Sequence, residues 1–142
     1  MAGFIARAKA GGANALLGAF LHQGKFDQCL SKLKVLSVES GLVKCELPID
    51  KSTSNYYDTL HGGATSTLVD VVGTMAVLSK DPLKPGVSVE LNVSFIRAAN
   101  VGETINIEGR LLKLGRKLAY TQVDLIAEDG KLIATGRHTK AL

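Results

Sequence analysis

The chain has 142 residues, 46% hydrophobic and 21% charged, with a formal net charge of +4 at pH 7. This balance predicts one folded domain with one core and excludes an intrinsically disordered chain. A basic protein can bind nucleic acid, an anionic membrane surface or a phosphorylated small molecule. Trp is absent, however, and the 3 Tyr and 4 Phe are too few for a platform that stacks bases. We therefore expect no nucleic acid as a partner and favour a ligand that carries phosphate.

Two further features limit the class of protein that the sequence can encode. No apolar run reaches the roughly 18 residues that a membrane span requires. The two cysteines, Cys29 and Cys45, are too few for a disulfide framework, and they predict reduced thiols in an intracellular protein.

The N-terminal segment allows two interpretations. The first 26 residues contain Arg7, Lys9 and Lys25 but no acidic residue, which is typical of a mitochondrial transit peptide, although such peptides are usually richer in Ser and Arg. An amphipathic helix over about Phe4–Leu21 that packs on the domain is an equally good interpretation. We expect a helical extension over residues 1–25 and one domain over residues 26–142, in a cytoplasmic or mitochondrial protein.

Beyond this extension, hydrophobic periodicity predicts two strands, one helix and four further strands. Short turns between consecutive strands favour an antiparallel sheet, and Asp129-Gly130 is a hairpin signal. The predicted ranges are Leu30–Ser37, Leu42–Leu47, a helix over Gly62–Ser79, then Val87–Phe95, Thr104–Leu114, Leu118–Ala127 and Leu132–His138.

The predicted helix is apolar almost all round, and such a helix is buried. An antiparallel sheet wrapped around this one long helix satisfies all the patterns together. This is the hotdog fold, of the α+β class, here with an extra N-terminal helix. A single curled sheet leaves open edges, which pairing between two subunits would cover.

A polar loop leads from Asn55 to His61-Gly62-Gly63 at the start of the buried helix. Free N–H groups at a helix N-terminus, with the positive end of its dipole, suit a developing negative oxygen. The side-chain amide of Asn55 can add a donor to the same oxygen. The alternative is a glycine turn that only lets the helix enter the core.

Asp70 interrupts the apolar run Leu68–Val72. Burial of a carboxylate is costly unless it is partnered, so Asp70 is either a structural residue or a catalytic base or nucleophile. Gly62 and Asp70 lie about 12 Å apart along a helix that rises ~1.5 Å per residue. One chain therefore cannot bring both to one carbonyl and its attacking water. If they cooperate, a second subunit with an antiparallel helix must supply Asp70.

At this point several motifs together resemble the 4-hydroxybenzoyl-CoA thioesterase superfamily, and within it the acyl-CoA thioesterase 13 subgroup, also called thioesterase superfamily member two. The resemblance extends from about Phe26 to Lys140. It is carried by Asn55, Leu60-His61-Gly62-Gly63, Asp70, Gly86-Val87-Ser88-Val89 and Gly136-Arg137-His138-Thr139-Lys140.

The resemblance implies a homodimer or a homotetramer built as a dimer of dimers. It also implies hydrolysis of fatty acyl-CoA, for which we expect medium to long chains, with no metal and no cofactor because CoA is part of the substrate. Asn55 and Gly62 would polarise the thioester carbonyl, while Asp70 and Ser88 of the partner subunit would orient and activate water. His61 is expected to fix the loop, and His138 has no evident catalytic partner.

The phosphates of CoA require basic partners, since Lys and Arg are suitable phosphate donors. The candidates are Arg97, at the end of a strand, and Lys113, Arg116 and Lys117 at a hairpin, a position where the family binds CoA. A solvated basic turn is the alternative. Arg97-Ala98-Ala99 is nearer to bacterial relatives that cleave phenylacetyl-CoA, which leaves the acyl preference open. The competing classes are a hotdog hydratase or dehydratase and a non-catalytic acyl-CoA binding protein.

Overall fold

The computed structural model describes residues 13–21 and 25–142. Its helices are α1 (Ala13–Phe20) and α2 (Gly62–Lys80), and a short 3-10 helix covers Phe26–Leu30. Its strands are β1 (Lys34–Glu39), β2 (Leu42–Pro48), β3 (Val87–Phe95), β4 (Thr104–Leu114), β5 (Leu118–Ile126) and β6 (Leu132–Ala141).

The predicted ranges differ from the structure mainly at the first and last strands, and the predicted N-terminal helix lies partly outside the described residues. Strand β6 continues to Ala141, three residues beyond the predicted end at His138. The first strand begins at Lys34 and not at Leu30, because Leu30 ends the 3-10 helix and its side chain is buried in the core. The part of the predicted N-terminal helix before Ala13 lies outside the described residues.

The six strands form one sheet in the order β1-β2-β4-β5-β6-β3. Every neighbouring pair in this sheet is antiparallel. The sheet packs against α2, which confirms the predicted hotdog arrangement of an antiparallel sheet around one long helix.

Helix α2 is buried along most of its length, as its apolar sequence predicted. Between Ala64 and Leu78, only Ser66 and Asp70 are not buried. Leu68 and Met75 are fully excluded from solvent, and each such side chain contributes about 1.5–3 kcal/mol to stability. The helix is therefore the centre of the core. Ser66 and Asp70, one turn apart, form its polar stripe in this range.

Strand β3 is an edge strand with an exposed apolar surface. Among the described residues it pairs with β6 on one side only, and Val87, Val89 and Phe95 are 65%, 59% and 61% exposed. A long apolar edge strand with unpaired backbone groups is a template for pairing with another chain.

Within the described part of the chain, no helix combines the length and the apolar character needed to cross a membrane.

Candidate active site

The loop before α2 is held in shape by the side chain of Asn55. Its Oδ1 accepts hydrogen bonds from the backbone N–H groups of Tyr57 (2.9 Å) and Thr59 (3.2 Å). Because backbone donors identify the oxygen, the position of the amide nitrogen Nδ2 is determined as well. Nδ2 donates one hydrogen to Thr59 Oγ1 at 2.9 Å. Its second hydrogen remains for a ligand, since an amide nitrogen carries two.

The first turn of α2 offers a further donor beside this loop. His61 caps the helix: its Nδ1 accepts the N–H of Gly63 at 2.8 Å, and its carbonyl accepts the N–H of Thr65. This contact gives His61 the loop-fixing position expected from the sequence. The N–H of Gly62 donates to no acceptor among the described residues, so it is available at the positive end of the helix dipole.

Both donors lie on the wall of a cavity of about 330 Å³. The ring of Phe95 closes over Gly62, where an added Cβ would lie 3.4 Å from Phe95 Cε1. The cavity is lined by Asn55, Leu60, Gly62, Thr65, Phe95, Ile96, Arg97, Ala98, Ala99, Ile133 and Ala134. We call Asn55, Gly62 and Phe95 the cavity cluster. Its two donors can polarise a carbonyl oxygen.

Asp70 lies further along α2 and is not buried in the single chain, contrary to the expectation from its apolar neighbours. Its side chain is 48% exposed. The reason is the helical period, which places Asp70 on the same polar stripe as Ser66, and the strands leave this stripe partly uncovered. The carboxylate is therefore accessible to water.

Ser88 is brought beside Asp70 by an irregularity in β3. The strand sequence alternates, and strict alternation would put Ser88 on the face opposite Val89 and Leu91. A β-bulge between Ser88 and Glu90 shifts the register, so that Leu91 pairs with His138 while Ser88 pairs with Lys140. Both partners belong to the helix-facing side of β6, and Ser88 therefore points towards α2. The bulge reverses the face that simple alternation predicts.

The residue that joins Ser88 to Asp70 is His138, for which no catalytic partner was evident in the sequence. Its Nε2 lies 2.8 Å from Ser88 Oγ and 3.6 Å from Asp70 Oδ1. The ring is fully buried and packs against Gly73, where an added Cβ would lie 3.4 Å from Nδ1. One pattern in the sequence could have indicated that His138 is buried. It lies at even spacing from Ala134 and Gly136, and the three residues share the inward face of β6. We call Asp70, Ser88 and His138 the carboxylate cluster.

The protonation of His138 follows from these neighbours. Burial, and next the charge of Lys140, lower the pKa of His138, while the Asp70 carboxylate opposes the shift. The ring is therefore neutral at pH 7. Two acceptors flank Nε2, whereas Nδ1 has no hydrogen-bond partner within the described chain, so we assign the proton to Nε2. Ser88 Oγ then accepts this proton's hydrogen bond, and its own hydroxyl hydrogen is free to donate.

The four basic candidates lie at two opposite ends of the sheet. Arg97 follows β3, lines the cavity and forms an ion pair with Asp129 at 3.2 Å. Lys113, Arg116 and Lys117 lie at the turn between β4 and β5, beside Ala141 and Val87. The ten residues of β6 separate these ends by roughly 30 Å at ~3.3 Å per residue. One chain does not bring all four together.

The two clusters are also separated within the chain. Gly62 lies against Phe95 at the end of β3, and Ser88 lies at its beginning. The cavity cluster supplies donors without a base, and the carboxylate cluster supplies a base without a carbonyl-binding site. No group of three His, Cys, Asp or Glu side chains in the described ranges is arranged to hold a metal ion.

A six-stranded antiparallel sheet around one buried helix, with a cavity at the helix N-terminus, defines a hotdog-fold protein. The family model described as the thioesterase superfamily matches residues 57–134. The human protein named acyl-coenzyme A thioesterase 13 is 46% identical over 118 residues, which cover 82% of this chain and 84% of that protein.

Two solved structures extend this similarity to three dimensions. Zebra fish thioesterase superfamily member 2 superimposes with a TM-score of 0.86 at 46% identity, covering 89% of this chain and 93% of that one. The mouse protein gives a TM-score of 0.84 at 40% identity, covering 92% and 96%. The chain belongs to the thioesterase superfamily, and the predicted enzyme class, a thioester hydrolase, is confirmed.

Proposed function

We propose that the chain hydrolyses medium- to long-chain fatty acyl-CoA to the free acid and CoA, in active sites that each combine residues of two subunits. The similarity to a protein named acyl-coenzyme A thioesterase 13 supports the substrate class. The observation that carries the shared site is the position of the two clusters at opposite ends of the exposed edge strand β3.

Antiparallel pairing of two β3 edges would bring these ends together. In a pair related by a two-fold axis near the middle of β3, the beginning of one strand faces the end of the other. The Ser88 end of one subunit would then lie beside Phe95 and Gly62 of its partner. The same pairing would satisfy the unpaired edge and cover Val87 and Val89, which are exposed in one chain.

The proposed reaction begins with the thioester oxygen bound by Asn55 Nδ2 and the N–H of Gly62. Ser88 of the partner subunit holds a water molecule, and Asp70 of the partner subunit takes its proton as the water oxygen attacks the carbonyl carbon. The C–S bond of the tetrahedral intermediate then breaks, and the leaving CoA thiolate accepts the proton that Asp70 of the partner subunit had taken, which restores the carboxylate. No metal or further cofactor takes part in this sequence.

Attack by Asp70 itself, through a mixed anhydride, would give the same products. A single turnover in ¹⁸O-labelled water distinguishes the two routes. A general base leaves the enzyme unlabelled, whereas a nucleophilic Asp70 acquires the label when water opens the anhydride at the aspartyl carbon. We favour the general base because Ser88 and His138 lie beside the carboxylate and provide a place to hold water.

Subunit pairing would also combine the separated basic residues. Arg97 would approach the partner turn that carries Lys113, Arg116 and Lys117, and CoA phosphates would bind between them. Arg97 already lines the cavity, although in the single chain it pairs with Asp129. We therefore propose Arg97 and this turn as the two sides of one phosphate site.

The test is complementation between two variants. Asn55→Ala and Asp70→Asn are each expected to lose at least 100-fold in kcat for thiol release from palmitoyl-CoA. One oxyanion donor contributes about 10²–10³-fold, and a general base contributes about 10²–10⁴-fold. After denaturation and refolding of an equal mixture, half of the dimers contain both variants, and each of these has one intact site. Activity should return to about one quarter of the parent's.

The controls separate the possible failures. The two variants, refolded separately and then mixed under conditions in which subunits do not exchange, should stay inactive. If the refolded mixture also stays inactive while the refolded parent recovers, the site lies within one chain and the shared-site proposal is wrong. If the parent releases no thiol from a panel of short, medium and long acyl-CoAs and phenylacetyl-CoA, the substrate proposal is wrong.

A further inference from the structure

Lys140 is a buried lysine that the proposed reaction does not use. The residue is 4% exposed, and lysine is rarely buried without a partner. Its Nζ donates to Thr74 Oγ1 at 2.8 Å, and Thr74 Oγ1 in turn donates to the carbonyl oxygen of Asp70 at 2.8 Å. The ammonium group is therefore connected to the turn of α2 that carries the catalytic carboxylate.

The turn before β3 covers the lysine side chain. Gly86 adopts a φ of +61°, and an added Cβ there would lie 3.3 Å from Lys140 Cε and 2.6 Å from the Ala141 carbonyl oxygen. A side chain at position 86 would thus be strained and would clash with the backbone. The close contact directs the lysine towards α2 and away from solvent.

The charged and titratable groups around Lys140 come from several elements. Asp70 of α2 and His138 of β6 interact with its charge, and Asp27 of the 3-10 helix interacts with Asp70. Burial lowers the pKa of Lys140 and the Asp70 carboxylate opposes this shift. Burial, followed by the charge of Asp70, raises the pKa of Asp27. Ser88 of β3 is the neutral hydrogen-bonding neighbour.

We propose that Lys140 is a positioning residue: its buried ammonium group, two positions from His138 on the same helix-facing side of β6, opposes protonation of that ring and thereby keeps Asp70 and Ser88 in their working arrangement. A protonated His138 would carry a second N–H, on Nδ1, where the described chain offers no acceptor. It would also attract the Asp70 carboxylate, 3.6 Å from Nε2, and compete with water for it. A buried cation two positions along the same face of β6 disfavours this state. The catalytic consequence rests on the proposed function, whereas the effect on His138 does not.

The test follows the titration of His138 by NMR of the histidine Cε1–H groups in the full-length protein. The chain has 3 histidines, so a His138→Gln variant identifies the signal. Lys140→Met removes the charge and retains an unbranched side chain, and it should move the His138 midpoint up by on the order of one pH unit, a tenfold change in proton affinity. Lys140→Arg should retain the parent's midpoint. Thr74→Val removes the hydrogen-bond acceptor of Lys140 but not its charge. This variant should move the His138 midpoint less than Lys140→Met does.

The pH dependence of kcat supplies a second readout. The acid limb of the Lys140→Met profile should shift to higher pH in parallel with the His138 midpoint, and Lys140→Arg should restore it. If Lys140→Met does not fold, Lys140→Gln tests the same loss of charge. An unchanged His138 midpoint in the neutral variants would overturn the proposal even if their activity fell. A shifted midpoint in a protein that hydrolyses no thioester would instead sustain the role of Lys140 and reject the proposed function.

Discussion

Ser88 Oγ and His138 Nε2 lie 2.8 Å apart although fifty positions separate the two residues in the chain. The β-bulge in β3 creates this contact, because it turns Ser88 to the helix-facing side of the sheet where His138 is buried. The same histidine nitrogen lies 3.6 Å from the carboxylate of Asp70. A serine and a carboxylate that would hold a water molecule are thus oriented by one neutral ring.

The first prediction concerns this ring. His138→Gln should lower kcat by about 10-fold to 100-fold with a smaller effect on KM, because it changes the orientation of Ser88 but not the cavity cluster; outer-shell partners of a site typically have effects of this size. Steady-state thiol release measures both constants. Combining Ser88→Ala with His138→Gln tests whether the two residues are coupled. If they act through one contact, the double variant loses less kcat than the sum of the two single losses in free energy. Fully additive losses would contradict the assigned contact.

The second prediction concerns stability and pH. The pKa of His138 is lowered in the folded chain, so below the unfolded value of about 6.5 the unfolded chain binds a proton that the folded chain does not. The free energy of unfolding should therefore fall as pH drops from about 7 to 5.5. Urea denaturation at several pH values measures it. His138→Gln should show a smaller fall over the same range, and an equal fall in both proteins would exclude His138 as the cause.

The third prediction concerns the proposed phosphate site. Arg97→Ala should raise KM for acyl-CoA by about tenfold or more and change kcat little, because a hydrogen bond to a charged group contributes about 1.5–3 kcal/mol. Asp129→Asn should have the opposite effect and lower KM, since Asp129 competes with phosphate for Arg97. The matched control is Arg110→Ala. It removes an exposed arginine of β4 that pairs with Glu108 of the same strand. Equal effects of the two arginine variants would argue against a specific phosphate contact.

The fourth prediction concerns the exposed edge. Val89→Lys adds a charge to β3, where the parent side chain is 59% exposed, and charges on an edge strand oppose pairing. The variant should sediment as a monomer at concentrations where the parent is an oligomer, and it should lose thiol release. Val101→Lys, at a 38% exposed position outside the strands, is the control. A monomeric Val89→Lys variant with full activity would exclude a site shared between subunits.

Local patterns in the sequence determined the architecture. The apolar run after Gly62 predicted a buried helix, and short turns such as Asp129-Gly130 predicted an antiparallel sheet, because burial and turn chemistry act over a few neighbouring residues. The His61-Gly62-Gly63 motif located the helix N-terminus for the same reason. The eight-residue separation of Gly62 and Asp70 also predicted two separate half-sites, since the rise of a helix is constant.

Only the tertiary structure decided which side chains meet. Period-two alternation alone would put Ser88 on the face opposite Leu91, because a bulge depends on the pairing with β6 and leaves no local sign in the strand. His138 ends the predicted last strand and Lys140 lies beyond it, and only the packing of β6 against α2 shows that both are buried near Asp70. Arg97 and Lys117 were grouped by charge, yet the sheet sets them at opposite ends. Contacts between distant segments depend on register and packing, and those are properties of the folded chain as a whole.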